Sequence, residues 1–221
     1  MMKAVVAWVS VIPAAAFGGM VEISGGQTSV ALDTMTLSSA ASLDLSGVSG
    51  DVINPGSLEG SVAFGINGRD VMTLPTTFSY DTDDFLGSFA GTIEHSGSVF
   101  FNNDAVEVGD FTIGFDGARA GSLNGLASGF FVRSNAGIAA ILFDIENPSN
   151  LVATSDSLTI DANLLVSPEF GMFLDDNGFS NGNLMGADVG DARVEGVPEP
   201  ATLLLTGLGA VALIRRRNAS I

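Results

Sequence analysis

Along most of the chain the hydrophobic positions recur with a period of two. Val62, Phe64 and Ile66 alternate with small or polar residues and run into Asn67-Gly68. That dipeptide suits a type I′ turn, so the pattern predicts a hairpin with Val71 to Leu74 as the returning strand. Phe111, Ile113 and Phe115 repeat the alternation and meet Asp116-Gly117, and Leu158, Ile160, Ala162, Leu164 and Val166 repeat it again. Ile138 to Ile145 is nearly continuously apolar and reads as a strand buried on both faces. A helical signal stands out at one place in the body, where Ser167 precedes Pro168 and Glu169 as an N-cap and a turn or two of helix follows. Many short strands separated by Gly, Asn, Asp and Ser predict an all-β domain of the β-sandwich or jelly-roll type.

Both ends depart from this pattern. Lys3 with the α-amine, the apolar stretch Ala4 to Ile12 and the small residues Ala14-Ala15-Ala16 form a signal peptide that a signal peptidase would cut after Ala16. At the other end Val197-Pro198-Glu199-Pro200 is followed by fourteen uncharged residues, Ala201 to Ile214, and then Arg215-Arg216-Arg217. As a helix the uncharged run covers roughly 21 Å, short of a hydrocarbon core of about 30 Å, so on its own it is a marginal span. The arginines would snorkel to the headgroups and keep the C-terminus cytoplasmic, leaving the body outside. Pro198 and Pro200 fix φ and remove donors, which predicts an extended backbone around Glu199, open to a processing enzyme. Three segments follow: signal peptide 1–16, exported domain 17–196 and tail 197–221.

The tail resembles the PEP-CTERM sorting signal read by exosortases in Gram-negative bacteria. That resemblance implies export, insertion in the inner membrane through the C-terminal helix, processing by an exosortase, and release to the cell surface, outer membrane or extracellular matrix, often alongside exopolysaccharide. Segments 95–115, with Val108-Gly109-Asp110-Phe111-Thr112-Ile113, and 164–194, with Ala187-Asp188-Val189-Gly190-Asp191-Ala192-Arg193, are similar to stretches of other PEP-CTERM proteins, from which no functional residue carries over.

Charge sharpens the picture of the exported part. Between residues 17 and 197 lie all acidic residues of the chain except Glu199, against only Arg69, Arg119, Arg133 and Arg193, a formal balance of −20. Such a surface repels nucleic acid and anionic membrane and attracts divalent cations or cationic polymers. The chain has no cysteine, so a hydrophobic core rather than disulfides must hold the domain.

The residues name no catalytic constellation, and the chain reads as a non-enzyme. There is no cysteine nucleophile, no Gly-x-Ser-x-Gly elbow and one histidine, His95, which falls where a strand meets a turn. Carboxylates are plentiful enough for a glycosidase pair, but Trp8 lies in the signal peptide and Tyr80 is the only tyrosine, which leaves few aromatic rings for sugar stacking. No cofactor is required. Calcium is the ion these residue types suit, with oxygen donors at Asp81, Asp83 and Asp84 and again at Asp175, Asp176, Asn177, Asn181 and Asn183, although neither cluster has EF-hand spacing. Two alternatives to a sorted surface protein follow: a carbohydrate-, calcium- or ice-binding module, for which Thr34-Met35-Thr36 is the one Thr-x-Thr run of the kind a flat ice face needs, and a secreted hydrolase.

Overall fold

The computed structural model describes residues 19–180 and 182–199. The signal peptide, Asn181, Pro200, the apolar run 201–214 and the cluster Arg215 to Arg217 lie outside the described residues. Among those described, no helix is long and apolar enough to cross a membrane.

The domain is all-β, as the alternation predicts. In chain order it contains β1 (Met20–Leu32), α1 (Thr34–Ala41), β2 (Leu45–Val48), β3 (Val62–Gly65), β4 (Ser79–Asp81), α2 (Phe85–Ser88), β5 (Ile93–Glu94), β6 (Ser98–Phe101) and β7 (Val106–Gly109). It continues with β8 (Thr112–Phe115), the single turn α3 (Ser122–Gly125), β9 (Ala127–Arg133), β10 (Ala136–Gly137), β11 (Ile141–Glu146), β12 (Asn150–Ala153), β13 (Leu158–Val166), α4 (Pro168–Asp176) and β14 (Asp188–Pro198). Ten strands form one antiparallel sheet with the spine β3-β1-β14-β13-β11-β9-β8-β5, to which β4 and β12 add at β1 and β13. Four strands, in the order β10-β7-β6-β2, form the second sheet. Val99, Phe101, Val106 and Val108 of the small sheet and Phe64, Ile113, Leu142, Leu164 and Val194 of the large one belong to a single core.

The large sheet curls until its two edges meet. Ile66, just past β3, bridges to His95, just past β5, and the Asn67 N–H donates to the Glu94 carbonyl at 2.7 Å. Closure of this kind satisfies edge groups that would otherwise offer a template for aggregation. His95 is the fastener of the seam. It is 1 % exposed, its Nδ1 lies 3.0 Å from the Phe111 carbonyl and its Nε2 lies 2.7 Å from Thr28 Oγ1. A carbonyl only accepts, so Nδ1 carries the proton and Nε2 accepts from the threonine hydroxyl, a neutral tautomer with both nitrogens satisfied. Burial lowers its pKa to about 4. Both ring nitrogens are engaged in packing and closure, and the side chain is fully buried where a strand-end position suggests a surface or half-buried one.

A second buried polar group ties the sheet to its loops. Asp144 on β11 is fully buried and receives Arg119 Nε at 2.6 Å and Nη2 at 2.9 Å. The far edge of the same guanidinium grips Glu169 in the first turn of α4, at 2.6 Å and 2.9 Å. Hydrogen bonds to Glu169 and then to Asp144 raise the Arg119 pKa, while the Glu169 carboxyl is held below its ordinary value chiefly by the bond from Arg119. One planar fork serves two carboxylates, a geometry lysine cannot supply.

Several local expectations change. The predicted hairpin at Asn67-Gly68 does not form: β3 pairs with β1, and Val71 to Leu74 is loop, with Met72 99 % exposed. The reason is that the asparagine is already engaged, its N–H by Glu94 and its side-chain amide by the Leu74 carbonyl. β8 and β9 do pair, but across the whole stretch 116–126 rather than a two-residue turn, because Arg119 in that stretch is drawn to Asp144. The apolar run from Ile138 enters a strand only at Ile141, and its buried positions include Asp144. β13 and α4 appear where expected, and Ser167 Oγ accepts the Phe170 N–H at 3.0 Å, although α4 runs on for nine residues. An unexpected helix, α1, begins at Asp33, whose carboxylate accepts the N–H groups of Met35 and Thr36, and it buries Leu37 and Ala41 on one side. Thr34-Met35-Thr36 is therefore a helical turn and presents no flat strand ladder.

Two predictions follow from these buried polar groups. Arg119→Met leaves the Asp144 carboxylate buried and unpaired, and should lower stability to urea by about 3 kcal/mol or more, whereas Glu169→Gln, at a half-exposed partner, should cost less than about 1 kcal/mol. For His95 the folded pKa lies below the unfolded value, so the unfolded chain takes up the proton first. Stability should be unaffected above about pH 6.5 and fall as pH drops from there to about 4, by about 3 kcal/mol in total. Melting temperatures compared over pH 5–6.5, above most carboxylate titration, should slope for the wild type and run flatter for His95→Gln.

Candidate functional site

Residues 197–199 of the C-terminal signature are built into the fold. Along β14, Val194 and Gly196 are buried while Asp191, Arg193 and Glu195 alternate outward, a register shift before Asp191 brings Val189 inward as well, and the strand lies in the interior of the large sheet between β1 and β13. On the β13 side the pairing ends at Leu158 opposite Gly196. On the β1 side it continues, with Gly26 opposite Gly196, Gly25 opposite Val197 and Ile23 opposite Pro198, and Ser24 inserted as a bulge. Gly26 sits at φ +116°, and a Cβ there would fall 2.1 Å from the Glu195 carbonyl oxygen, so only glycine permits this close approach. Pro198, which has no N–H to offer, stands at the end of the strand where none is needed.

The backbone around Glu199 is thus extended as expected, but it is not open. Pro198 is buried, Val197 is half exposed, and the Glu199 N–H donates to the Glu22 carbonyl at 2.8 Å. The side chains add a bracket that the sequence did not reveal. Arg69 Nε lies 3.4 Å from Glu22 Oε2 and 3.9 Å from Glu199 Oε1, and Arg69 Nη1 donates to the Phe78 carbonyl at 3.2 Å. All three charged groups reach solvent, so the bracket is weak, in the range of about 0–1 kcal/mol per pair. The signal available in the sequence was only that Arg69 is one of four basic residues in an acidic domain.

The calcium candidates fall in two places and have local work in each. Asp81 accepts the Asp83 N–H at 2.8 Å in an Asx turn, and Asp84 caps the short helix α2 by accepting the Gly87 N–H at 3.1 Å. Asp175 and Asp176 end α4, Asp175 accepts the Ser180 hydroxyl at 3.1 Å, and the Asn177 side chain donates to the Phe173 carbonyl at 2.8 Å. Asn183 accepts the Met185 N–H at 3.0 Å. Among the described residues no group of three or more His, Asp or Glu side chains is arranged to hold a metal ion.

Two spaces remain. The interior holds a cavity of about 90 Å³ lined by apolar side chains, with Thr28 and His95 as its polar members. It is smaller than the roughly 150 Å³ space known to admit benzene. An open groove of about 420 Å³ runs between β7 and α4, lined by Asp104, Glu107, Ile138, Phe173 and Phe179 among others. The rings of Phe173 and Phe179 lie within 17° of parallel, at a centroid distance of 6.4 Å. Both phenylalanines, one on the helix and one in its following turn, are partly buried and pack against the core.

No curated protein matches the chain. Among solved structures it is similar to the C-terminal domain of HtaA from Corynebacterium glutamicum, with 13 % identity over 81 % of this chain and 99 % of that one, and a TM-score of 0.49. Its C-terminal end is matched more specifically: residues 196–218, from the last rung shared with β13 through the arginine cluster, match the PEP-CTERM protein-sorting motif.

Proposed function

We propose that this protein is a non-enzymatic component of the bacterial cell surface, an acidic β-domain exported behind a signal peptide and released from its membrane tail by an exosortase. The sorting motif at 196–218 carries this reading: it marks an exported, exosortase-processed protein, consistent with the cell surface. The rest is inferred from the body. With 25 acidic residues and eight basic ones in the full chain, three of the latter removed with the tail, the released domain would favour cationic or calcium-bridged polymers, and exopolysaccharide in a Gram-negative matrix is the setting we assign. The partners required during export are a signal peptidase and an exosortase.

A second reading, that the domain itself binds carbohydrate, is favoured by the groove between β7 and α4. Phe173 and Phe179, partly buried in its wall, would give a sugar apolar ring surface, and Asp104 and Glu107 would accept from its hydroxyls.

The first reading predicts that protein recovered from fractionated host cells has an intact mass corresponding to a start near Phe17 and an end near Pro198 to Pro200, in the surface or medium fraction. Retention of Arg215 to Arg217 in the inner membrane would mean a permanent anchor and defeat it. The second predicts that Phe173→Ala and Phe179→Ala each reduce retention of the released domain on the host's own polysaccharide by about tenfold, the effect of losing roughly 1.4 kcal/mol. A domain that shows no such retention in wild-type form removes that reading.

A further inference from the structure

Residues 196–199 have two roles that compete. They open the matched sorting motif, and they are the end of an interior strand together with its last hydrogen-bonded residue. An enzyme that acts at the signature must take an extended stretch of backbone into its own cleft, and that stretch cannot stay bonded to β1 at the same time. No spacer relieves the conflict, because only Pro200 separates Glu199 from the uncharged run that begins at Ala201.

The geometry says how far the strand would have to open. Up to Gly196 the strand has a partner on each side, β1 and β13, and the close Gly26 approach to Glu195 keeps that rung tight. Beyond Gly196 only β1 remains, and the Ser24 bulge interrupts the ladder at that step. Strand ends of this kind open at low free energy, without unfolding of the rest. What holds the end is modest: the burial of Pro198, the bond from Glu199 N–H to Glu22, and the Arg69 bracket across Glu22 and Glu199.

Resting on the sorting role proposed above, we infer that the exosortase takes up its signature by peeling residues 197–199 off β1, with β14 left intact to Gly196, and that Arg69 is a positioning residue that sets how readily the peel occurs. The surface the enzyme meets is then the folded pole of the domain around Glu22, Ser24 and Arg69, and not a free linker. Processing is coupled to the local stability of one strand end.

The test uses the full chain in its native host. Gly25 and Val197 are paired across the two strands, a Cβ at Gly25 meets no atom within 4 Å, Val197 is 56 % exposed, and the chain has no other cysteine. Gly25→Cys with Val197→Cys should form a disulfide outside the cytoplasm and lock the rung. The expected result is that the oxidised double variant keeps its tail, and that a reductant, or either single variant, restores shortening at the C-terminus. A companion chain carries the lock plus a second Val-Pro-Glu-Pro placed after Pro200 behind an eight-residue Gly/Ser spacer. It should be shortened despite the lock, since one signature is free of the sheet.

Arg69→Ala should speed shortening roughly two- to fivefold in a pulse-chase, the range expected from loss of a weak ion pair, with the melting temperature of the released domain nearly unchanged. Arg69→Lys should fall between it and the wild type. Shortening of the locked chain at the wild-type rate would overturn the inference, as would slower processing of Arg69→Ala. Failure of the underlying reading looks different: the wild-type tail would then be lost equally in a host from which the exosortase gene has been deleted.

Discussion

The position of β14 is the constraint on which the rest of this domain depends. The large sheet has two wings, β3-β1 with β4 on one side and β13-β11-β9-β8-β5 with β12 on the other, and on the sheet spine they are joined through β14. The last strand of the domain is therefore interior, and its first strand, β1, is the neighbour it zips against over nearly its full length. Such non-local pairing cannot be completed early, since the loop it closes is almost the whole domain. Val189 and Val194 of β14 belong to the same core as the side chains of both wings, so the strand aligns one wing with the other. The seam at Ile66 and His95 closes the sheet at its other end.

The scarcity of positive charge fits the same picture. Three of the four arginines in the exported part are committed to intradomain carboxylates: Arg69 to Glu22 and Glu199, Arg119 to Asp144 and Glu169, and Arg193 to Asp161 directly across the β13–β14 ladder. Each sits where two segments distant in sequence must be held, so the arginines act as internal brackets while the outer surface is left to the acids. An outward face with so little free positive charge favours solubility.

The sequence conveyed the class of the fold through its period-two alternation, and it conveyed β13 and the Ser167 cap because those signals are complete within ten residues. It misled wherever a local signal was answered by a distant partner. Asn67-Gly68 has the chemistry of a tight hairpin, but Glu94, on another strand, takes the Asn67 carbonyl-seeking N–H first. The buried Asp144 inside an apolar run, and the length of the 116–126 connection, are both consequences of Arg119, and nothing near Arg119 in sequence announces its partners. α1 was hidden by serines and threonines of low helix propensity, and it exists because Asp33 caps it and Leu37 and Ala41 find the core. The sorting signature was legible as a signature, since its order of proline, acid, apolar run and arginines is local. Its incorporation into β14 was not, because that depends on Ile23 and Gly25, some 170 residues earlier.

This overlap changes what a sorting tail means for the protein that carries it. If the signature were a separable label, the domain would be indifferent to where the label is cut. Here Gly196 packs against Ile23 and Leu158, Pro198 is buried against β1, and Glu199 still donates its N–H to Glu22, so residues up to Glu199 belong to the finished domain. A break at or beyond Glu199 returns a strand that can lie back in its place, and the Arg69 bracket then holds a terminus instead of a tether. A break before Val197 would strip the last rungs from β1 and expose the apolar contacts of Ile23. On the inferred route, a cut on the far side of the last hydrogen bond would leave a strand end that the same weak contacts, to Glu22 and Arg69, can reseal.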